Sequence, residues 1–445
     1  MKLLLVWPKA RTDPDWGGDL GAIAEPLALE YLAAAAMANG HEARILDLRL
    51  NPGQLDQLIE TYAPDIVGVT AFSMHISAAI AVCERVKSLR PDCWTVAGGH
   101  HATFLPEDFF VDAIDFVVSG EGTAPLGSLL NALGVNDLDT LQLIPGLWCR
   151  RHGEFTLASR RPAVDLQNMP TPARSLTAPD RGSYFIDWMK PVACVRSSVG
   201  CPYRCTFCSL WQMTDGRYYM RESDAFVEEL RTIEERYVFL VDDEAFINRR
   251  RMLNLARAIG EAGIEKSFFA YCRMDTLVRQ KDVLRLWRAI GLERLLIGID
   301  GFSSKDLKEY NKGYDAAKIE EGLAAARELD IEVFAQFVIN PDYTHRDFEK
   351  LERFVEHHKI AYPSFTVLTP LPGTPLLKTF DAVTELQPNG RPNWDYFDTQ
   401  NAVTSTRLPK EEFHRTYRNL FRRFRSSYTL HRTRAKSTRP MLIPA

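Results

Sequence analysis

Short apolar runs alternate with helical patterns through the first 135 residues of the chain. The runs predict five buried strands, at Lys2–Trp7, Ala43–Asp47, Asp65–Ala71, Cys93–Ala97 and Asp115–Ser119. Between them, apolar residues recur at helical spacing, most clearly over Glu25–Asn39 and Ile76–Leu89. Strands that alternate with helices of this length are typical of βαβ units on a parallel sheet. The pattern therefore predicts a doubly wound, flavodoxin-like (Rossmann-type) α/β domain over residues 1–140.

A second series of strands and helices follows a proline-rich stretch. Residues 141–190 carry several prolines and little periodicity, so we expect a linker there. Beyond it the predicted strands are Pro191–Ser197, Tyr237–Asp243, Phe268–Arg273, Arg294–Ile299, Glu332–Ile339 and Ser364–Thr369. Helical patterns such as Asp224–Glu235 and Ala316–Leu329 separate these strands. Six βα units favour a partial (β/α)6 barrel over residues 191–375 rather than a closed eight-stranded one.

The last part of the chain, residues 376–445, is predicted to be helical and basic. Aromatic residues recur at helical spacing from Phe413 to Tyr428, and Lys and Arg greatly outnumber Glu from Lys410 onward. Two interpretations remain open at this point. The aromatic face packs on the body of the protein, or it contacts an anionic membrane surface.

Composition narrows the possible partners and the compartment. The formal net charge of −4 gives no overall basic field, which argues against a nucleic-acid partner. The apolar N-terminal run MKLLLVWPKA is too short for a secretory signal, and no segment reaches the ~18–20 apolar residues of a membrane span. Eight cysteines in 445 residues are too few for a disulfide scaffold. We therefore expect a cytoplasmic protein.

Three of the cysteines cluster in one short stretch, GCPYRCTFCSLW, residues 200–211. Cys201, Cys205 and Cys208 directly follow the first predicted barrel strand, at the end where such folds carry functional residues. Structural zinc sites usually have four protein ligands, and a disulfide would leave one cysteine over. A 4Fe–4S cluster normally has four thiolates, so three thiolates would leave one iron open to another ligand. We predict such a cluster, with zinc as the alternative.

The segment CPYRCTFC resembles the CxxxCxxC motif of radical S-adenosylmethionine (SAM) enzymes. The resemblance implies that the open iron binds SAM through its amino and carboxylate groups. It also implies that a reductase, flavodoxin or ferredoxin supplies an electron, and that cleavage of SAM gives a 5′-deoxyadenosyl radical. The residues expected to contact SAM follow the predicted barrel strands or lie on them: Asp242, Asp243, Glu244, Arg273, Gly298, Asp300 and Gln336. The acids would accept from the amino group, Arg273 would pair with the carboxylate, and Gly298 and Asp300 would lie near the ribose.

The N-terminal domain resembles the cobalamin-binding domain found together with some radical SAM barrels. The resemblance rests on VGVTAFS at 67–73, VAGGHHATFLPE at 96–107 and SGEGT at 119–123. It implies cobalamin contacts at Thr70, Ser73, Gly98, Gly99, His100, Gly120 and Glu121. The Asp-x-His-x-x-Gly motif that supplies a histidine ligand to cobalt in many cobalamin proteins is absent, because residues 8–24 contain no histidine. We therefore expect cobalamin to bind without a protein histidine on cobalt.

Several stretches are similar to hopanoid C-3 methylases, among them RSSVGCPYRCTFCSLW and YPSFTVLTPLPGTPL. This similarity implies methylation of an unactivated sp³ carbon, at C-3 of a hopanoid lipid, through the 5′-deoxyadenosyl radical and methylcobalamin. The substrate would then be a small molecule or lipid, reached by peripheral contact with the inner face of the membrane. Two alternatives remain: oxidative cyclisation of a magnesium-protoporphyrin monomethyl ester on the same scaffold, and a non-enzymatic cobalamin or redox sensor. No catalytic side chain is assigned from the sequence.

Overall fold

The computed structural model describes residues 1–11, 22–161, 164–379 and 383–435. The chain divides into two compact units. The first comprises residues 1–192 and, from a distant part of the chain, residues 393–398. The second comprises residues 193–392 and the chain after residue 398.

The first unit is built on one seven-stranded sheet. Its strands are β1 (Lys2–Trp7), β2 (Glu42–Asp47), β3 (Ile66–Thr70), β4 (Trp94–Gly98), β5 (Phe116–Val118), β6 (Leu147–Arg151) and β7 (Glu154–Leu157). Its helices are α1 (Leu27–Ala38), α2 (Leu55–Tyr62), α3 (Ile76–Leu89), α4 (His100–Phe104) and α5 (Thr123–Gly134). The spatial order is β2-β1-β3-β4-β5-β6-β7, and the first five strands are parallel. Order 2-1-3-4-5 is the flavodoxin-like topology, so the predicted fold class is confirmed.

The two remaining strands of this sheet lie in the segment that the sequence predicted as a linker. β6 pairs antiparallel with β5, and β7 pairs antiparallel with β6. Only His152 and Gly153 connect β6 to β7, with φ of 53° and 87°. Two positive φ values are what a type I′ hairpin turn requires, and its twist matches that of the flanking strands. The expectation of an irregular linker was therefore wrong for residues 147–157.

The second unit is a six-stranded partial barrel. Its strands are β8 (Val192–Val195), β9 (Tyr237–Leu240), β10 (Ser267–Tyr271), β11 (Leu292–Asp300), β12 (Glu332–Ile339) and β13 (Tyr362–Val367). Its helices are α6 (Leu210–Met213), α7 (Ser223–Thr232), α8 (Arg249–Glu261), α9 (Met274–Arg279), α10 (Lys281–Ala289), α11 (Ser304–Glu309), α12 (Ala316–Glu328), α13 (His345–His357), α14 (Pro375–Thr379) and α15 (Lys410–Ala435). Each strand pairs with the next in chain order, as the sequence predicted.

Alternate residues of the barrel strands face opposite sides. Residues such as Leu240, Phe268 and Leu295 belong to the main hydrophobic core, which they form with the surrounding helices. Their neighbours along each strand therefore face the barrel interior, where strand register arranges them in layers. The lowest layer is Phe239, Phe269, Arg294 and Glu332; the middle one is Tyr271, Leu296, Phe334 and Tyr362; the upper one is Gly298, Gln336 and Ser364.

The aromatic residues of the C-terminal helix α15 face the barrel. Phe413, Tyr417 and Phe424 are at most 5% exposed and belong to the core of the second unit. The Tyr417 hydroxyl donates to the Phe365 carbonyl on β13 at 2.8 Å. From Phe413 to Phe424 the aromatic face therefore packs on the barrel, as in the first of the two interpretations, whereas the Tyr428 side chain lies outside the described residues. No helix among the described residues is both long and apolar enough to cross a bilayer.

Candidate cofactor sites

The cysteine loop leaves β8 through a backbone position that only glycine fits. Gly200 has φ of 97°, and a Cβ there would lie 2.1 Å from the Arg217 carbonyl oxygen. The Gly200 amide donates to Asp243 Oδ2 at 2.7 Å. Farther along the loop, the Thr206 amide donates to the Tyr310 carbonyl at 3.2 Å. These bonds fix the loop directly before Cys201 and again between Cys205 and Cys208.

Asp242 and Asp243 hold the start of this loop. Asp242 is fully buried and accepts from the Ser197 amide at 2.7 Å and from the hydroxyls of Ser197 and Ser198 at 2.5 and 2.6 Å. With both oxygens engaged, its carboxylate is committed to the loop rather than presented to a ligand. Asp243 is partly buried; burial raises its pKa, while the Gly200 amide and the nearby Arg196 act in the opposite direction. The sequence did not single out Arg196.

Glu244 differs from its two neighbours. It is almost fully buried, and its Oε2 accepts from the Arg273 amide at 2.7 Å. Its Oε1 is buried without a well-formed hydrogen bond, although the nearby Thr276 hydroxyl acts to lower its pKa. Burial raises the pKa of Glu244 to about 7. A buried carboxylate oxygen that lacks a well-formed hydrogen bond is suited to a cationic donor, such as the amino group of SAM. A hydrogen bond from that donor would replace the water that Glu244 loses on burial.

Arg273 lies against the cysteine loop. Its Nε donates to Asp275 Oδ1 at 2.9 Å, and its Nη1 lies 3.7 Å from the Cys205 sulfur. Its Nη2 donates to the Lys312 carbonyl. The guanidinium carbon is 3.6 Å from the centre of the Tyr203 ring, which belongs to the same loop. The guanidinium that was predicted to pair with the SAM carboxylate is thus already bonded to groups of the protein.

The end of β11 forms a buried ion pair that the sequence did not predict. Asp300 has φ of 61°, in the left-handed region, and follows a register shift after Gly298. Its carboxylate pairs with the Lys312 ammonium, which also donates to the Gly298 carbonyl at 3.1 Å. Burial lowers the pKa of Lys312, but the nearby Asp300, Tyr314 and Cys205 together outweigh it and the net pKa is raised. Lys312 therefore remains charged next to the residues expected near the ribose. Gln336 pairs with Gly298 in register and is partly exposed to the barrel interior.

The three thiols suit a cluster better than a single ion. Burial raises the pKa of Cys201 to about 12 and that of Cys208 to about 11, so binding metal must displace their protons. A closed zinc site usually has four protein ligands on one ion, whereas in a cluster each thiolate binds a different iron and three thiolates leave the fourth iron open. Phe207 covers the loop by packing edge-on against Tyr310 at 5.3 Å.

In the first unit, glycines follow neighbouring parallel strands at their carboxyl ends. Gly99, after β4, has φ of 103°, and a Cβ there would lie 2.8 Å from Thr70 Oγ1. Gly98 and Gly120 are also partly exposed at this edge. Glu121 accepts from the amide and the hydroxyl of Thr123 at 2.9 and 2.7 Å, so it caps the start of α5. Open α/β sheets bind ligands at this edge, and bare backbone lets a large ligand approach.

An aromatic cluster borders these glycines. Phe72 is 49% exposed and stacks on His100 at 5.8 Å, and His100 contacts Phe104 at 5.1 Å. Burial lowers the pKa of His100 to about 4, so its ring is neutral. His101 is fully buried, and its two ring nitrogens bond to Ser73 Oγ and Asp108 Oδ2, each at 2.9 Å. An exposed apolar ring next to open backbone fits a large flat ligand such as a corrin.

Known proteins match both halves of the chain. The B12 binding domain family matches residues 16–130, and the Radical SAM superfamily matches residues 195–355. The hopanoid C-3 methylase of Methylococcus capsulatus is 31% identical over 400 residues, which are 88% of this chain and 74% of that protein. The chain belongs to the cobalamin-dependent radical SAM methyltransferase family. Its cofactors are a 4Fe–4S cluster, SAM and cobalamin.

The chain is also similar to two more distant proteins. The anaerobic magnesium-protoporphyrin IX monomethyl ester cyclase of Cereibacter sphaeroides is 25% identical over 433 residues, which are 92% of this chain and 67% of that protein. The solved structure of the cobalamin-dependent SAM radical enzyme OxsB, with aqua-cobalamin and SAM bound, matches with a TM-score of 0.71 at 16% identity. That match covers 91% of this chain and 64% of the OxsB chain, and it supports the fold.

Proposed function

We propose that this enzyme methylates an unactivated sp³ carbon of a polycyclic terpenoid lipid, namely C-3 of a hopanoid. The similarity to the hopanoid C-3 methylase carries this proposal, because it extends through both units. When bound, the cofactors would supply a radical that removes hydrogen from carbon and a methyl group that replaces it. The protein would bind the substrate, orient it and exclude water.

The barrel interior supports an apolar substrate. Tyr271, Leu296 and Phe334 form its middle layer and are partly exposed, so they can contact a bound molecule. Below them, the floor contains the fully buried Arg294, which bonds to Glu332 and stacks on Tyr362, with its guanidinium carbon 4.1 Å from the ring centre. The charge of Arg294 is therefore already paired within the floor of the barrel. An aromatic and aliphatic wall of this kind suits a flat, fused-ring hydrocarbon.

Access to a lipid would require peripheral contact with a membrane. The buried aromatic face of α15 is not available for that contact, but Arg415, Arg418 and Arg422 are exposed on its other side. Basic side chains gain about 1 kcal/mol each near an anionic leaflet. We expect the Arg415→Gln, Arg418→Gln, Arg422→Gln variant to sediment less with anionic vesicles than the wild type. Equal sedimentation would remove this part of the proposal.

Feeding SAM with a deuterated methyl group tests the reaction. Hopanoid lipid incubated with the reconstituted enzyme and reductant should gain one labelled methyl group, with 5′-deoxyadenosine and S-adenosylhomocysteine formed in comparable amounts. Lipid incubated with enzyme lacking cobalamin is the control and should gain none. If hopanoid stays unmethylated while a magnesium-protoporphyrin ester is cyclised without label, the cyclase alternative replaces the proposal.

A further inference from the structure

The guanidinium of Arg273 is held in a fixed position by groups of the protein. Asp275 accepts from its Nε edge, and the Cys205 sulfur and the Lys312 carbonyl occupy the opposite edge. The Tyr203 ring covers one face at 3.6 Å, and the Tyr314 ring lies 5.4 Å away. A guanidinium pairs with a carboxylate through two parallel N–H bonds from one edge, and both edges are engaged here. Arg273 is therefore poorly placed to hold the carboxylate of SAM.

The contacts of Arg273 also place its positive charge next to Cys205. Asp275 is shared, because it also pairs with Arg279 at 3.3 Å, so two guanidiniums face one carboxylate. The Tyr203 hydroxyl lies 3.4 Å from Asp275 and accepts from Arg279 at 3.1 Å, which ties the cysteine loop to this network. Within this network, the Arg273 guanidinium is the cationic group that contacts Cys205. Neither Cys201 nor Cys208 has a comparable described hydrogen bond from a cationic side chain.

We infer that Arg273 is a positioning residue that sets the reduction potential of the cluster through Cys205. A cluster gains negative charge on reduction, and a cationic N–H donor at a ligand sulfur stabilises that charge. The potential of the cluster is therefore higher than it would be without Arg273. The second-sphere bond also fixes where the Cys205 sulfur lies. This role rests on the presence of the cluster and not on which substrate is methylated.

The test compares potential with SAM affinity in the full-length chain reconstituted with its cluster, without substrate. Iron and sulfide content confirm loading, spectroelectrochemistry gives the midpoint potential, and equilibrium binding gives the SAM dissociation constant. For Arg273→Met we expect a more negative midpoint potential and a SAM dissociation constant within about twofold of the wild type. The matched control is Arg288→Met, which removes the same charge from a partly exposed pair between Arg288 on α10 and Asp330, just after α12, at the opposite end of the strands. It should change neither quantity.

A conservative variant keeps the test decisive if Arg273→Met does not load the cluster. Arg273→Lys retains the charge but loses the fork that reaches Cys205 and Asp275 together. We expect it to load and to show a negative shift in potential, smaller than that of Arg273→Met where both can be measured. A wild-type potential in the loaded variants overturns the inference. So does SAM affinity weakened tenfold or more at an unchanged potential, which would assign Arg273 to the carboxylate instead.

Discussion

At the residue scale, the three cysteines carry the clearest prediction. Replacing Cys201, Cys205 and Cys208 together by alanine should abolish cluster binding and reductive cleavage of SAM, because these are the three thiols that the loop supplies. The control is Cys149→Ala, since Cys149 is also a free cysteine but lies buried on β6 of the first unit. Iron analysis and 5′-deoxyadenosine formation check the result. Retention of both iron and cleavage by the triple variant would contradict the assignment.

Glu244 is the acid that we expect to bind SAM. Glu244→Gln keeps the shape of the side chain but removes the charge that its buried Oε1 offers to an ammonium group. Loss of a charge-assisted hydrogen bond should weaken SAM binding by at least about tenfold without changing iron content. Glu328→Gln, at an exposed site on α12, is the control. Wild-type affinity in Glu244→Gln, measured by equilibrium binding, would show that another group holds the amino group.

Sequence reasoning predicted which residues form the site but could not separate the roles of those residues. The spacing of Cys201, Cys205 and Cys208 is enough to predict a cluster site, because the three residues lie in one short stretch. The three consecutive acids at 242–244 are equivalent in the sequence, and only the serines that engage Asp242 distinguish it from Glu244. Lys312 was missed because it lies in a loop with no motif. Its importance comes from Asp300, which reaches it through tertiary packing.

At the scale of elements, strands and helices were predicted well where periodicity is strong. The prediction matches Ile76–Leu89 and Glu332–Ile339 to the residue. The β6–β7 hairpin was missed because the prolines on either side of it favoured the prediction of a linker. Its signal was present: alternating strand residues flank His152-Gly153, a two-residue connection suited to a tight turn. Residues 393–398 were placed in the C-terminal region, but they group with the first unit through tertiary contacts that no local pattern reveals.

Helix α15 should stabilise the second unit through its aromatic face. Phe413 is fully buried and packs edge-on against Phe348 of α13 at 5.7 Å. Phe413→Ala should lower the free energy of unfolding of this unit by about 3–5 kcal/mol, because it leaves a cavity in the core. Arg418→Ala, at an exposed position of the same helix, should change it by less than about 0.5 kcal/mol. Denaturant unfolding checks both values, and equal stability of the two variants would mean that α15 is not part of the folded core.

At the scale of the whole molecule, two families of domain occur in one chain, and each unit supplies a different cofactor site. The second unit offers three thiols and a buried acid next to them, whereas the first offers open glycine backbone and an apolar ring. The cysteine motif identifies one cofactor directly. Cobalamin has no comparable short motif here, so its assignment depends on the fold and on the family match over residues 16–130.

The missing histidine motif leads to a prediction about the chain as a whole. In the first unit His41 bonds to Asn131, His152 forms the hairpin turn, and both ring nitrogens of His101 are engaged by Ser73 and Asp108. The two other histidines, His75 and His100, pack against the Phe72 ring, His75 at a tilt and His100 stacked, and they belong to the aromatic cluster. Cobalt should therefore have no ligand from a protein imidazole.

Isotope labelling can test this without ambiguity from nitrogen atoms of the cobalamin itself. The full-length protein is produced with ¹⁵N-histidine, loaded with unlabelled cobalamin and reduced to the cob(II)alamin state. We expect its electron paramagnetic resonance spectrum to equal that of unlabelled protein, because any nitrogen splitting would come from the cofactor. His100→Ala should retain the same pattern. A change from triplet to doublet splitting on ¹⁵N labelling would show a histidine on cobalt. The prediction drawn from the absent motif would then be wrong.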